Sequence, residues 1–359
     1  MFEHPCLSSI ALNINLNNEL YKPEIFLGQS FCNHAFYKEL SIEKFQKLKE
    51  EVRILICNYF PSEITKTLQE TDTETLVTLA YSSVSFTSGK NCHLLKIICL
   101  FILSTFVTDD FIERAAYKDA RSHIKILIRT LEDKTKDVIL PEQKSLLEFK
   151  NIIKGYNLLP QFLRATKTLF YTALLSRKRQ SNFLISSISY SDYESYRLIT
   201  AGLEPLLVLG ATLIDVDVNS FKRVYPEFNK LVSCVIKSVF LINDIVSLNK
   251  ELHQSTSIKM YSQMRFSTRV KSLQSSILPF LPLNYVLIVS FCEDISIRDS
   301  IELLLCKHNQ ILAESELKFN NIISRVENAN EQEFVLFTYQ WIRANLIWSN
   351  IARRYKSSF

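Results

Sequence analysis

Glycine and proline are so scarce in this chain, 5 and 9 among 359 residues, that the turns required by many short strands are missing. Long stretches instead repeat apolar residues at every third or fourth position, the spacing of one helix face. The expectation is an all-α protein, a helical bundle around a central cavity. A hydrophobic content of 47% is enough for a large core. No internal repeat or low-complexity linker divides the chain, so residues 1–359 read as a single domain. Residues 1–38 lack a clear period and carry few charges, and are expected as an irregular arm packed on the body.

Ser41 is placed to cap a helix whose apolar side runs through Ile42, Phe45, Leu48, Val52, Leu55 and Tyr59, with Pro61 as its stop. Thr71 and Glu74 have capping-box spacing. Further helices are expected near 91–112, 112–132, 141–178, 191–214, 221–253, 259–276, 295–325 and 331–355. Within 191–214, the run Thr200-Ala201-Gly202-Leu203-Glu204-Pro205 should break the helix, because glycine and proline both oppose its continuation.

The net charge of +5 comes from 42 basic and 37 acidic residues without a long basic run, which argues against a nucleic-acid partner. The 8 cysteines form no C-x-x-C pair and mostly sit among apolar neighbours, as expected of a protein kept in the reducing cytoplasm. The chain does not open with a secretory signal pattern. The apolar run from Leu94 to Val107 contains Lys96 and ends at Asp109 and Asp110, short of the roughly 20 residues of a membrane span, so no span is expected there.

Three segments carry chemistry. In Asp109-Asp110-Phe111-Ile112-Glu113, three carboxylates share one helix face, where like charges repel unless a cation compensates them. Carboxylate oxygens suit a hard ion such as Mg²⁺. The same face runs back through Phe106, Leu103, Ile102 and Cys99, an apolar stripe leading to the acids. In the second segment, Asn243, Ser247 and Glu251 stand four residues apart in turn, stacking amide, hydroxyl and carboxylate oxygens in one row above Val239, Ile236 and Val232. Both helices are apolar below and oxygen-bearing above. In the third, Trp341, Asn345, Trp348, Ala352 and Tyr355 fall at helical spacing, with Arg353 and Arg354 beside the tyrosine.

At these residues the sequence resembles the class I terpene synthases of the microbial type, found in bacteria, fungi and social amoebae. D-D-F-I-E at 109–113 resembles their aspartate-rich motif, and N-D-I-V-S-L-N-K-E at 243–251 resembles their second metal motif, N-D-x-x-S-x-x-x-E. Arg197, 46 positions before Asn243, matches their diphosphate-sensing arginine. Arg354-Tyr355 matches their terminal Arg-Tyr pair, and Trp348 the cavity tryptophan that often lies six positions earlier. Glu113 stands where an aspartate is commoner, and Thr200 and Ala201 where many relatives carry aspartate and glycine.

The resemblance implies an all-helical fold in which Asp109, Asp110, Glu113, Asn243, Ser247 and Glu251 hold metal, three Mg²⁺ ions with Mn²⁺ as the alternative, against a prenyl diphosphate. Arg197, Lys250, Arg354 and Tyr355 are the expected diphosphate donors, since fixed positive groups stabilise charge developing on the leaving group. Phe106 and Trp348 are the expected aromatic faces for a carbocation. The expected activity is that of a cytoplasmic carbon–oxygen lyase, monomeric or homodimeric, converting farnesyl diphosphate to a sesquiterpene. Geranylgeranyl diphosphate is the alternative substrate, and a non-catalytic interaction protein on the same scaffold the alternative class. A prenyl-chain elongating synthase would need a second D-D-x-x-D, and none follows residue 113.

Overall fold

The helical period materialises as a bundle in the computed structural model, which describes residues 9–26, 42–60, 72–80, 89–135, 137–140, 142–154, 159–180, 185, 188–255, 261–274, 276–278 and 281–352. After two small strand pairs come α1 (Ile42–Tyr59), α2 (Thr73–Ala80), α3 (Gly89–Arg114) and α4 (Tyr117–Leu131). Next are α5 (Gln143–Ile153), α6 (Leu159–Gln180), α7 (Tyr190–Thr200), α8 (Leu203–Ile214) and α9 (Val218–Val224). The bundle is completed by α10 (Glu227–Ser255), α11 (Tyr285–Glu293), α12 (Ile297–Ile323) and α13 (Ala329–Ile351).

Helix α10 is the hub, packing against α7, α11, α12 and α13. Its residues Leu231, Val235, Phe240, Leu241, Ile242, Ile245 and Leu248 are all buried, so it is apolar on more than one face, as a helix surrounded by others must be. By length and composition two helical stretches are apolar enough to cross a membrane, Tyr190–Ile214 and Glu227–Gln254. The first is interrupted at Gly202, and the second is 78% buried inside the bundle, so the apolar surface of α10 is already covered by protein.

The break expected after Arg197 is present. Ala201 N bonds back to the Arg197 carbonyl at 2.9 Å, and Gly202 follows at φ 72°, a left-handed conformation that glycine adopts without a Cβ penalty. Helix α8 then runs against α13, where Gly210 leaves room for the Phe337 ring.

Several expectations are corrected. The 221–253 stretch is two helices, because Pro226 cannot donate a backbone hydrogen bond and restricts Tyr225 before it. The 141–178 stretch is likewise two, α5 and α6. Over the described residues 261–274 only Tyr261 is α-helical, and beyond it the expected helix at 259–276 gives way to turns and a 3₁₀ turn at Val270–Ser272. The backbone partners there lie across the chain: Ile297 N bonds Thr268 O and Arg298 N bonds Phe266 O, both at 2.8 Å, while the Thr268 hydroxyl accepts from Arg265 N at 2.8 Å. Helix α11 went unanticipated because it is apolar all round and shows no amphipathic period. The N-terminal arm is ordered over 9–26, where β1 (Ser9–Ala11) pairs antiparallel with β4 (Glu24–Phe26) and β2 (Ile14–Leu16) with β3 (Glu19–Tyr21). The Ser41 and Thr71 caps and Pro61 lie outside the described residues.

Replacing Gly210 by alanine should destabilise the protein despite alanine's better helix propensity of about 1 kcal/mol. A Cβ there would stand 2.0 Å from the ring of Phe337, which is fully buried and has nowhere to move. Overpacking of this kind costs about 1–3 kcal/mol. Thermal unfolding should therefore show a lowered Tm, and an unchanged or raised Tm would contradict the close α8–α13 packing.

Candidate active site

The row on α10 is built as its spacing required. Asn243 and Glu251 are partly buried and Ser247 is buried. The Ser247 hydroxyl donates to Glu251 Oε1, and Asn284 Nδ2 donates to Glu251 Oε2 at 3.1 Å. Asn284 is the N-cap of α11, its Oδ1 accepting from Val286 N at 2.9 Å, and its Nδ2 also reaches the Asp244 carbonyl at 2.8 Å. One side chain thus starts a helix and aims a carboxylate on another. Burial pushes the Glu251 carboxyl above its ordinary range, and the nearby Asp244 charge adds to the push. An amide, a hydroxyl and a carboxylate that gains from a neighbouring cation form a hard oxygen donor set, which fits Mg²⁺. Among the described residues no three His, Cys, Asp or Glu side chains gather on one point.

Beside that row lies a buried ion pair. Arg197 Nη2 is 2.6 Å from Asp244 Oδ1, and Tyr193 Oη donates to Asp244 Oδ2 at 2.6 Å. Asp244 is 2% exposed. Burial raises its carboxyl, with Arg197 and the Tyr193 hydroxyl partly offsetting the rise. Burial alone would lower the Arg197 guanidinium, but the Asp244 charge opposite it reverses the sign and keeps it protonated. The guanidinium also lies over the Phe240 ring, 5.9 Å from its centroid. Its buried Nε has no hydrogen-bond partner among the described residues, leaving a donor for an anion.

On α3, Asp109 is exposed and Asp110 partly buried. Lys250, which follows Asn249 on α10, reaches Asp110 Oδ1 at 3.2 Å and ties the two motif helices together. Phe111 stacks on His123 with centroids 4.3 Å apart, and His123 in turn hydrogen-bonds the buried Glu142. The stripe below the acids is buried at Cys99, Ile102 and Leu103. Phe106 and Trp348 meet as a parallel pair, centroids 5.8 Å apart and planes 3° from parallel. Asn345 anchors α13 to α10 by donating to the Val239 carbonyl at 3.2 Å. The Glu113 side chain, Arg354 and Tyr355 lie outside the described residues.

Asn243, Ser247, Glu251, Arg197, Lys250 and Asp110 are thus connected through α7, α10 and α3. Asp244, Tyr193 and Asn284 were not anticipated. Tyr193 lies one turn before Arg197 on the same face, a signal readable in sequence. Asn284 carries no such signal, because its link to Glu251 spans 33 positions. An apolar cleft of about 250 Å³ has walls that include Leu198, Leu207, Val232, Ile236 and Phe334, with exposed Glu204 and Asn229 at its rim. Ile236 is seven residues below Asn243 on the same helix, about 10 Å along the axis, so the cleft is set apart from the oxygen row.

The bundle superimposes on 2-methylisoborneol synthase from Streptomyces coelicolor, solved with Mg²⁺ and 2-fluoroneryl diphosphate, with TM-score 0.68 and 11% identity over 90% of this chain and 95% of that one. Germacradien-4-ol synthase from Streptomyces citricolor gives TM-score 0.60 and 12% identity over 86% and 92% of the two chains. Residues 100–265 match the family described as terpene synthase family 2, C-terminal metal binding. Terpene synthase 5 of Dictyostelium purpureum is 25% identical over 167 residues, 41% of this chain and 46% of that protein, so the match takes in about half the relative's length. The chain shares the fold of these terpene synthases, and its residues 100–265 are similar to the metal-binding domain of terpene synthase family 2.

Replacing Asp244 by leucine would leave the Arg197 guanidinium, 17% exposed, without its counterion. Breaking such a buried pair from one side costs about 3–5 kcal/mol. Denaturant unfolding should show a loss of that order, and adding Arg197→Met should recover part of it. A single-variant loss below about 1 kcal/mol would show that the pair does not hold α7 to α10.

Proposed function

We propose that this protein is a Mg²⁺-dependent terpene synthase. It ionises a prenyl diphosphate, farnesyl diphosphate as the substrate, and cyclises or rearranges the carbocation to a sesquiterpene, releasing diphosphate. The observation that carries this reading is the adjacency of Asn243 and Asp244. The first belongs to an oxygen row suited to a hard cation, and the second clamps a buried arginine beside it. Neighbouring residues of α10 thus carry a metal ligand of this reading and the carboxylate that orients Arg197 on α7.

The chain's own groups follow the charge. Ionisation separates an allylic carbon from its diphosphate oxygen and leaves negative charge on the leaving group. Bound Mg²⁺ ions, three as the reading has them, would supply Lewis acidity toward that charge. Asn243, Ser247 and Glu251 with Asp109, Asp110 and Glu113 are the ligands in this reading. Arg197 meets the leaving group through its unpartnered Nε while Asp244 fixes its orientation. Lys250, 3.2 Å from Asp110 Oδ1, would be a further cationic donor toward the diphosphate. Arg354 and Tyr355 complete the donors. The Phe106–Trp348 pair presents aromatic faces that stabilise a cation without attacking it.

Purified protein incubated with Mg²⁺ and farnesyl diphosphate should yield a sesquiterpene hydrocarbon or alcohol by gas chromatography, with geranyl and geranylgeranyl diphosphates run alongside. Product from geranylgeranyl diphosphate alone would make it a diterpene synthase, and no product from any of the three would favour a non-catalytic scaffold. Asn243→Ala and Glu251→Ala should each abolish turnover and leave the far-ultraviolet circular dichroism unchanged. Activity retained in either variant refutes the metal assignment.

A further inference from the structure

One side chain inside the metal motif points away from the metal row. At 3.6 residues per turn, Asn249 falls on the face of α10 opposite Ser247 and Glu251. It is 3% exposed. Its Oδ1 accepts hydrogen bonds from the hydroxyl of Tyr261 and from the backbone N of Asn17 at 3.4 Å. Neither partner is near it in sequence, so the same oxygen joins α10 to the N-terminal strands and to the segment that follows the helix.

Asn17 sits at the tip of the β2–β3 hairpin, where Asn17 and Asn18 take φ of 49° and 68°. Two successive left-handed residues make the tight turn whose twist suits a hairpin, and asparagine tolerates that conformation. The tip is pinned from every side. Asn17 Nδ2 donates to the Ser262 and Met264 carbonyls at 3.2 and 3.4 Å, and the Asn17 carbonyl accepts from Arg265 Nη1 at 3.2 Å. Arg265 also lies 3.6 Å from Glu19, and the Phe266 backbone N donates to Glu19 at 3.4 Å. Behind the tip, Leu12, Ile14 and Leu16 are buried and β2 packs directly on α10.

The last turn of a helix is its least constrained part, because its final four carbonyls lack intrahelical partners. In α10 that turn follows directly on Glu251, with Ser247 one turn earlier. A rigid brace on the opposite face limits their rotation and sliding, and metal ligands lose affinity when their orienting partners are removed. We infer that Asn249 is a positioning residue, through which Tyr261 and the Asn17 hairpin hold the end of α10 so that Ser247 and Glu251 are presented together. The inference rests on the proposed metal reading.

The test uses Mg²⁺ with inorganic diphosphate as the probe, following thermal stabilisation of the full-length protein and, in parallel, the Mg²⁺ dependence of turnover. Tyr261→Phe keeps the ring and removes only the hydroxyl, and Asn249→Leu removes the shared acceptor. Half-saturating Mg²⁺ should rise about tenfold in Asn249→Leu, the low end of the effect of losing an orienting partner. In Tyr261→Phe it should rise at least threefold, with kcat at saturating Mg²⁺ falling by less than half. If Asn249→Leu fails to fold, Tyr261→Phe alone decides. A lowered metal-free Tm with half-saturating Mg²⁺ unchanged within twofold overturns the positioning role and leaves the metal reading intact. Absence of any Mg²⁺–diphosphate stabilisation in the unsubstituted protein overturns both.

Discussion

A partly buried guanidinium set against a buried carboxylate fixes the terms for the upper part of this bundle. Removing either charge from water costs several kcal/mol, and neither burial is tolerable without the other. Arg197 and Asp244 therefore dock α7 on α10 in one relative position, with Tyr193 taking the second carboxylate oxygen. The break at Gly202 follows as a geometric companion: α7 ends just past Arg197, and α8 leaves in a new direction toward α13. Asn284 extends the same cluster by bonding the Asp244 carbonyl and the Glu251 carboxylate together.

Around that pair the molecule separates two environments along α10. Its lower turns are enclosed by apolar contacts with α12 and α13, and its upper turns present oxygen atoms on one face and a braced asparagine on the other. Chemistry that creates a carbocation needs this division, because water must be kept from the hydrocarbon while charge is met by fixed polar groups. The parallel Phe106 and Trp348 rings come from α3 and α13, helices far apart in sequence.

Much of this was legible from spacing alone. The i, i+4, i+8 row at Asn243, Ser247 and Glu251 needs only a straight helix, and the break at Gly202 only glycine's conformational freedom. What stayed hidden depends on contacts between distant segments. Asp244 reads as an ordinary polar residue beside the row until α7 is docked against it. Asn284 starts a helix with no amphipathic period, and its amide meets Glu251 only across 33 positions. The stretch 261–274 carries an apolar period, yet its backbone donors and acceptors are claimed by Thr268 and by the start of α12, and tertiary pairing outweighs the local preference. The N-terminal strands are too short to show an alternating period at all, and their order comes from burying Leu12, Ile14, Leu16 and Ile25 against the bundle.

The central claim, that the α10 row binds metal beside an arginine that receives diphosphate, is tested most directly by a crystal structure grown with Mg²⁺ and inorganic diphosphate. The account predicts an ion about 2.0–2.1 Å from oxygens of Asn243, Ser247 and Glu251, with a diphosphate oxygen in hydrogen-bond reach of Arg197. Diphosphate bound elsewhere, or a metal that bypasses that row, would contradict it.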